Sequence, residues 1–313
     1  MLAHTYDPDK HGVAGWYASE KLDGMRALWD GGVTRGMLAR DVPFANTEKD
    51  GRLVRPPVAT GLWSRLGKVI HAPDSFLDRL PQVPLDGELY MGRGKFQHLM
   101  STVRSIEPGV GWSYVQYAVF DSPAHDQFLD DAALRWLQGL PVRPHEARPF
   151  EATLTKLREL IGVQTRLYVP TQELIRDRDH LTSLLDEVCN RGGEGIMLRR
   201  PGSHWRPERS WDLLKVKKSL DGTGEVAGYV WGQGKYLGMM GAMVVKWGAV
   251  EFELCGFTDA ERQLSGAEVA VPGGLVKEAT SRRFPIGSSV SFRYRELTNS
   301  GVPKEARFWR RES

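Results

Sequence analysis

The chain has 313 residues, a length that favours two domains over one, and its 41% hydrophobic and 26% charged residues exclude a disordered chain, a coiled coil and a collagen-like fibre. No apolar run approaches the ~18 residues a bilayer span needs, and the opening MLAHTYDPDK has no apolar core of a signal peptide, which reads as a cytoplasmic protein. The net charge of +3 is unevenly placed: residues 191–220 and 281–313 each carry eight Lys/Arg against three Asp/Glu, which leaves −7 for the rest and points to a localised polyanion site.

Residues 16–30, WYASEKLDGMRALWD, alternate and then meet Gly31-Gly32, which predicts a strand, a short polar turn and a second strand. Residues 33–60 lack periodicity and have the composition of a long loop. From Leu62 to Phe120 the runs LWSRLGKVI, PLDGELYM and YVQYAVF read as strands, with a helix near FQHLMSTVRS. Between 125 and 190, Leu129, Leu134 and Leu137, then Leu154, Leu157, Leu160 and Ile161, then Leu181, Leu184, Leu185 and Val188 recur at helical spacing. Strands return at EGIMLRR and DLLKVKK. SLDGTGE after Lys218 has a linker's composition, and EVAGYVWG, GAMVVKW, AVEFELCGF and SSVSFRYREL follow as short strands, with a helix at TDAERQL. The expected architecture is α+β: antiparallel sheets with flanking helices over 1–218, and over 219–313 a five-stranded OB-fold β-barrel, with an SH3-like barrel as its competitor. Cys189 and Cys255 are too few for a zinc ribbon and read as buried thiols.

The residues that carry chemistry recur on strands. In Glu20-Lys21-Leu22-Asp23-Gly24-Met25-Arg26, Lys21 and Asp23 share a face with Ser19, and Gly24 allows a turn that returns Arg26 to the same place. Asp86 and Glu88 in LDGEL are spaced by two. Glu194 follows Gly192-Gly193 at the start of a strand, and Lys215 and Lys217 share a face of another. Charge brought into an apolar sheet is costly unless it is paired or meets a ligand. Several strands doing so together imply a cleft for a polyphosphate and a divalent metal.

These strings resemble the motifs of the covalent nucleotidyltransferases, and most closely those of small ATP-dependent DNA ligases of bacterial and phage type. EKLDGMR resembles the nucleophile motif, LWSRLGK the ribose-contact motif with Arg65, and LDGEL the third motif. AVFD resembles the adenine-stacking motif with Phe120, GGEGIMLR the fourth and LLKVKK the fifth, all in family order. The resemblance implies that Lys21 attacks the α-phosphorus of ATP to give a lysyl-AMP. It implies nucleotide contacts from Glu20, Arg26, Arg65, Glu88, Phe120, Lys215 and Lys217, and a Mg²⁺ site (with Mn²⁺ as substitute) at Glu194 and Glu88. The partner implied is nicked double-stranded DNA, bound by a monomer without a membrane. Arg307, Arg310 and Arg311 resemble the terminal basic motif, with Lys304 where the family often has arginine. The basic residues of 33–60 (Arg35, Arg40, Lys49, Arg52, Arg55) are candidate DNA contacts. The competing readings are an RNA ligase, a capping-type guanylyltransferase and a catalytically inactive nick- or end-binding protein.

Overall fold

The SEKLDG segment leaves one sheet and enters another. In the computed structural model β1 (Leu2–Thr5) and β2 (Tyr17–Glu20) belong to a first sheet, and β3 (Met25–Asp30) opens a second immediately after the turn. The structure describes residues 1–49, 52–53, 57–124, 147–265, 271–276, 280–295, 297–298 and 300–311. The helices expected around Leu129, Leu134 and Leu137 lie outside these residues.

Residues 33–60 are more organised than their composition implies. They hold a 3₁₀ turn at Ala39–Asp41 and the short pair β4 (Glu48–Lys49) and β5 (Arg52–Leu53). Ala39, Val42 and Ala59 bury against Trp63 in a small core of their own. LWSRLGKVI forms only β6 (Leu62–Ser64), because a turn after Ser64 folds Ile70 back to donate to the Leu62 carbonyl. α1 (Asp74–Leu77), β7 (Pro84–Tyr90), α2 (Phe96–Val103) and β8 (Gln116–Asp121) follow. Then come α3 (Phe150–Ile161), β9 (Leu167–Tyr168), β10 (Glu173–Leu174), α4 (Arg178–Asn190), β11 (Ile196–Arg199) and β12 (Arg209–Val216).

The first sheet has the order β1-β12-β11-β2-β10 and the second β6-β3-β7-β8-β9. Strand alternation sorts their side chains. On the second sheet Ala27, Trp29, Leu85, Leu89, Tyr117 and Val119 enter one core with α1, α2 and α3. The buried Tyr117 hydroxyl donates to the carbonyls of Ala27 and Leu85, tying β3 to β7. On the first sheet Ala18, Ile196, Leu198, Leu214 and Val216 pack with Leu181 and Val188 of α4. The residues between these in sequence, Ser19, Met197, Leu213, Lys215, Arg26, Asp86, Glu88 and Phe120, are left to line a cleft between the sheets.

These elements form one compact unit, Met1–Lys217, and Lys218–Ser313 form a second. In the second unit SLDGTGE is not a linker. It is the first half of β13 (Leu220–Trp231), paired along its length with β16 (Ser289–Tyr294). Its glycines serve close packing rather than flexibility: a Cβ on Gly222 would lie 2.6 Å from the Phe292 ring, and one on Gly224 2.5 Å from Val245 Cγ1. With β14 (Met240–Trp247), β15 (Val250–Leu254) and β17 (Arg307–Arg311) the sheet order is β15-β14-β13-β16-β17. The outer strands meet at one parallel bridge, Cys255 to Arg307, so the sheet curls as in an OB fold without a full closing ladder. The expected TDAERQL helix is absent. Thr258 and Glu261 bond each other as at a helix start, but Arg262 is buried and donates to the carbonyls of Met240 and Gly241.

Candidate active site

Lys21 stands where the chain crosses between the two sheets of the first unit. Its backbone N–H still donates to the Gly195 carbonyl at 2.8 Å, extending the β2–β11 ladder by one residue. Asp23 and Gly24 then carry the chain to β3. A Cβ on Gly24 would lie 2.7 Å from Glu88 Cγ and would also meet the Leu89 carbonyl, so Gly24 allows β3 to enter tight against β7.

The GGEG segment sets the opposing carboxylate. Gly192 takes φ +80° just past α4, and the Gly193 N–H donates to the Val188 carbonyl, which closes the helix. Gly195 approaches the Val216 carbonyl so closely that a side chain would clash. Glu194 is thereby held between two strand ends. Its Oε2 accepts from Lys21 Nζ at 2.5 Å, and its Oε1 lies 3.0 Å from Lys217 Nζ. Burial alone would raise its pKa, but the two lysines outweigh burial and hold it below the usual carboxylate range.

The facing wall belongs to β3, β7 and β8. Arg26 lies opposite Glu88 in the β3–β7 register, and its guanidinium engages Asp86 through two nitrogens, Nε to Oδ1 at 2.9 Å and Nη2 to Oδ2. Trp205 Nε1 donates to the same Oδ2 at 2.6 Å. Burial pushes the Asp86 carboxyl up, and the Arg26 charge overrides it and leaves Asp86 depressed. Arg26 Cζ also lies 5.8 Å from the Phe120 ring centre.

Glu88 behaves in the opposite way. Burial pushes its pKa up to about 8; Lys21 and Arg26 oppose this, while Asp86 and Glu194 add to it. In metal-free protein Glu88 therefore makes stability fall as pH rises. Below the ordinary value of 4.5 both folded and unfolded chains hold the proton. Between 4.5 and about 8 only the folded chain holds it, and above that the full cost of the buried charge is felt. Glu88→Gln is neutral at every pH. Its melting temperature, measured in chelator from about pH 5 to 8, should decline less steeply than that of the unsubstituted protein. Parallel slopes would refute this.

The cleft has a volume of about 310 Å³ and includes Lys21, Arg26, Arg65, Glu88, Phe120 and Lys215 in its lining. Glu194 joins it through its contact with Lys21, and Lys217 through its contact with Glu194. Glu20 also borders the cleft, but strand alternation sends its side chain toward α4. There Arg93 binds it bidentately at 2.8 and 2.6 Å and also donates to the Arg191 carbonyl, so its carboxylate serves as a strut. Arg35 is held by Asp74 of α1 and by Asp78 just past its end at 2.6 and 2.7 Å, and Arg40 lies 3.7 Å from Asp41. Arg55 lies outside the described residues. Arg307, Arg310 and Arg311 are exposed on β17 of the second unit, where Arg293 and Arg310 flank the Trp309 ring at 3.9 and 4.4 Å.

Sequence reasoning missed Arg199, Asp121, Trp205, Phe150 and Gln172, which also line the cleft. Arg199 and Asp121 form a buried pair at 3.2 Å. The alternation of IMLRR, which sets Met197 and Arg199 opposite Ile196 and Leu198, could have marked Arg199. Asp121 closes the AVFD string beside Phe120, and nothing local marks Trp205, Phe150 or Gln172. Among the described residues no group of three or more His, Cys, Asp or Glu is arranged to hold a metal ion. Glu88 and Glu194, near enough that the Glu194 charge raises the Glu88 pKa, would hold a Mg²⁺ that takes its remaining ligands from water and substrate phosphates.

Residues 1–217 match the family model described as "ATP dependent DNA ligase domain", and residues 231–311 match "DNA ligase OB-like domain". The chain is 29% identical to a DNA ligase of Haemophilus influenzae over 99% of its own length and 91% of the relative's. It is similar to a solved structure from a structure–function analysis of Lig E DNA ligases that concerns DNA binding with a minimal scaffold. That match has a TM-score of 0.68 and 28% identity, and covers 100% of this chain and 98% of the other. A solved structure named Pmar-Lig_Pre shares the fold, with a TM-score of 0.60 and 19% identity over 98% of this chain and 66% of the other.

Proposed function

The chain belongs to the ATP-dependent DNA ligase family, and we propose that Lys21 is its nucleophile and that its substrate is nicked duplex DNA. In this reading Lys21 Nζ, deprotonated, attacks the α-phosphorus of ATP. A P–N bond forms, the bond to the β-phosphate oxygen breaks and pyrophosphate leaves. The AMP passes to the 5′-phosphate of the nick. The adjacent 3′-hydroxyl then displaces AMP and closes the strand.

The observation that carries this reading is the placement of Lys21 Nζ, 2.5 Å from Glu194 and beside Lys217, on a cleft whose other wall presents Arg26, Glu88 and Phe120. Lys215 and Lys217 offset charge that grows on the α-phosphate, where fixed cations contribute most. Phe120 offers a face to the purine, and Arg26 and Arg65 offer donors to sugar or phosphate. Glu88, whose carboxyl burial pushes up to about 8 in the metal-free cleft, offers its oxygens to a ribose hydroxyl, and a bound cation would displace its proton. Glu194 and Glu88 would hold Mg²⁺, which when bound neutralises phosphate charge. Glu194 must release Lys21 for the amine to react, and a cation competing for that carboxylate favours the release. The exposed arginines of β17 and the Arg293–Trp309–Arg310 stack supply a cationic surface for the DNA backbone.

The test uses the full chain with α-labelled ATP or GTP and Mg²⁺, followed by nicked DNA or nicked RNA. A protein–adenylate adduct that is discharged on nicked DNA with sealing is the expected result. Labelling from GTP alone, or sealing restricted to RNA, would overturn the assignment.

A further inference from the structure

β10 lies against β2 at the edge of the first sheet, with Glu173 opposite Ala18 and Leu174 opposite Tyr17. Carried one residue back, this antiparallel register sets Gln172 beside Ser19. On the other side of β2, Ser19 pairs with Met197, which in turn pairs with Lys215. Gln172, Ser19, Met197 and Lys215 thus form one row across four strands, and all four line the cleft. Lys21 lies two residues from Ser19 on the same face, about 7 Å along the strand. A nucleotide whose α-phosphate sits at Lys21 spans a ribose of similar length and brings its base to the Gln172 end of this row, opposite the end that holds Lys215.

The amide of Gln172 has a defined orientation. Its Nε2 donates to the Pro170 carbonyl at 3.3 Å. A carbonyl oxygen only accepts, so the NH₂ end is fixed there, and a flipped amide would set two acceptors against each other. Oε1 remains as the acceptor that the side chain offers a ligand. Adenine carries an amino donor at its 6-position, where guanine carries a carbonyl acceptor.

We propose that Gln172 is the residue that selects adenine over guanine, with its Oε1 accepting from the adenine 6-amino group and repelling the guanine 6-carbonyl. The inference rests on the adenylation reading above. It adds a residue that none of the motifs contains, and it separates base choice (Gln172) from stacking (Phe120). Stacking accepts either purine, because each presents a π-face.

The experiment measures protein–nucleotide adduct formation by the full chain with ATP, GTP and purine riboside triphosphate, which lacks the 6-amino group. The unsubstituted protein should use ATP about 10-fold better than the purine analogue, the worth of one hydrogen bond at a partly desolvated site. It should prefer ATP to GTP by at least about 100-fold. Gln172→Ala should lower kcat/KM for ATP to the level of the purine analogue, leave the analogue unchanged and narrow the ATP to GTP ratio. The loss should fall on KM with kcat retained, because the base contact is the same before and during reaction. Gln172→Met, of similar length and with only a weakly accepting thioether, should behave as the alanine variant does and guards against a folding defect. An equal loss for ATP and the analogue, or an unchanged ATP to GTP ratio, overturns the proposal and leaves the adenylation reading standing. No adduct from the unsubstituted protein with any nucleotide overturns both.

Discussion

Lys21→Ala should form no detectable adenylate adduct and should seal nicks at least about 10⁴-fold more slowly, because removing a covalent nucleophile removes the pathway and not merely a contact. Lys215 and Lys217 are the other lysines at or beside the cleft, but neither stands at the crossing from β2 to β3. Lys217 is also engaged with the far oxygen of Glu194. The fold should tolerate the change. The Lys21 side chain is 24% exposed, and Glu194 keeps Lys217 at 3.0 Å when Lys21 is lost. The melting temperature and the binding of nicked DNA should therefore stay close to those of the unsubstituted protein. Lys21→Arg should be equally inactive, because a guanidinium retains the ion pair but cannot lose its proton to become a nucleophile. Nicked DNA that already carries a 5′-adenylate enters after the step that needs the amine, so Lys21→Ala should still seal it. Normal adduct yield from Lys21→Ala would exclude Lys21 as the nucleophile. Loss of sealing on the pre-adenylated nick as well would give the amine a further duty in strand closure.

The parts of this molecule that were legible in the sequence are those whose physics is local. The strand–turn–strand at 16–30 announces itself by alternation, and the same alternation puts Lys21, Arg26 and Glu88 on cleft-facing positions. Glu194 follows from its glycines, each of which has a local reason in the structure: a helix end at Gly192 and a close approach at Gly195. What was illegible depends on contacts between distant segments. Gly222 and Gly224 read as flexible until Phe292 and Val245 are seen against them. TDAERQL carries a helix-start signal, but the burial of Arg262 against the carbonyls of Met240 and Gly241 draws the chain elsewhere. Glu20 belongs to the nucleophile string and yet faces α4, because the neighbour of a cleft residue on a strand points the other way. Gln172 reaches the cleft through the register of a two-residue strand, which carries almost no sequence signal.

Asp86→Ala should destabilise the first unit by up to about 3–5 kcal/mol, because it removes the buried partner of a half-buried cation. Asp86 is 1% exposed and accepts from two nitrogens of Arg26 and from Trp205 Nε1. Removing it takes the directly paired carboxylate from the guanidinium, leaving it the Met1 carbonyl and the Glu88 and Asp121 charges, and leaves the indole N–H without its acceptor. Thermal unfolding of the full chain should show the transition of the Met1–Lys217 unit lowered by roughly 6–20 °C. The Lys218–Ser313 unit, with its separate core, serves as an internal reference. Asp86→Asn should remain well below the unsubstituted protein, since an amide restores a hydrogen bond to Arg26 but no charge. The double change Asp86→Leu with Arg26→Met is the sharper test. If the penalty of the single variant comes from the uncompensated charge, replacing both partners by apolar side chains of similar volume should recover most of the loss. Nucleotide binding should stay impaired in that double variant, because Arg26 also faces the cleft. A double variant as unstable as Asp86→Ala would place the cost in packing around Trp205 and not in the ion pair.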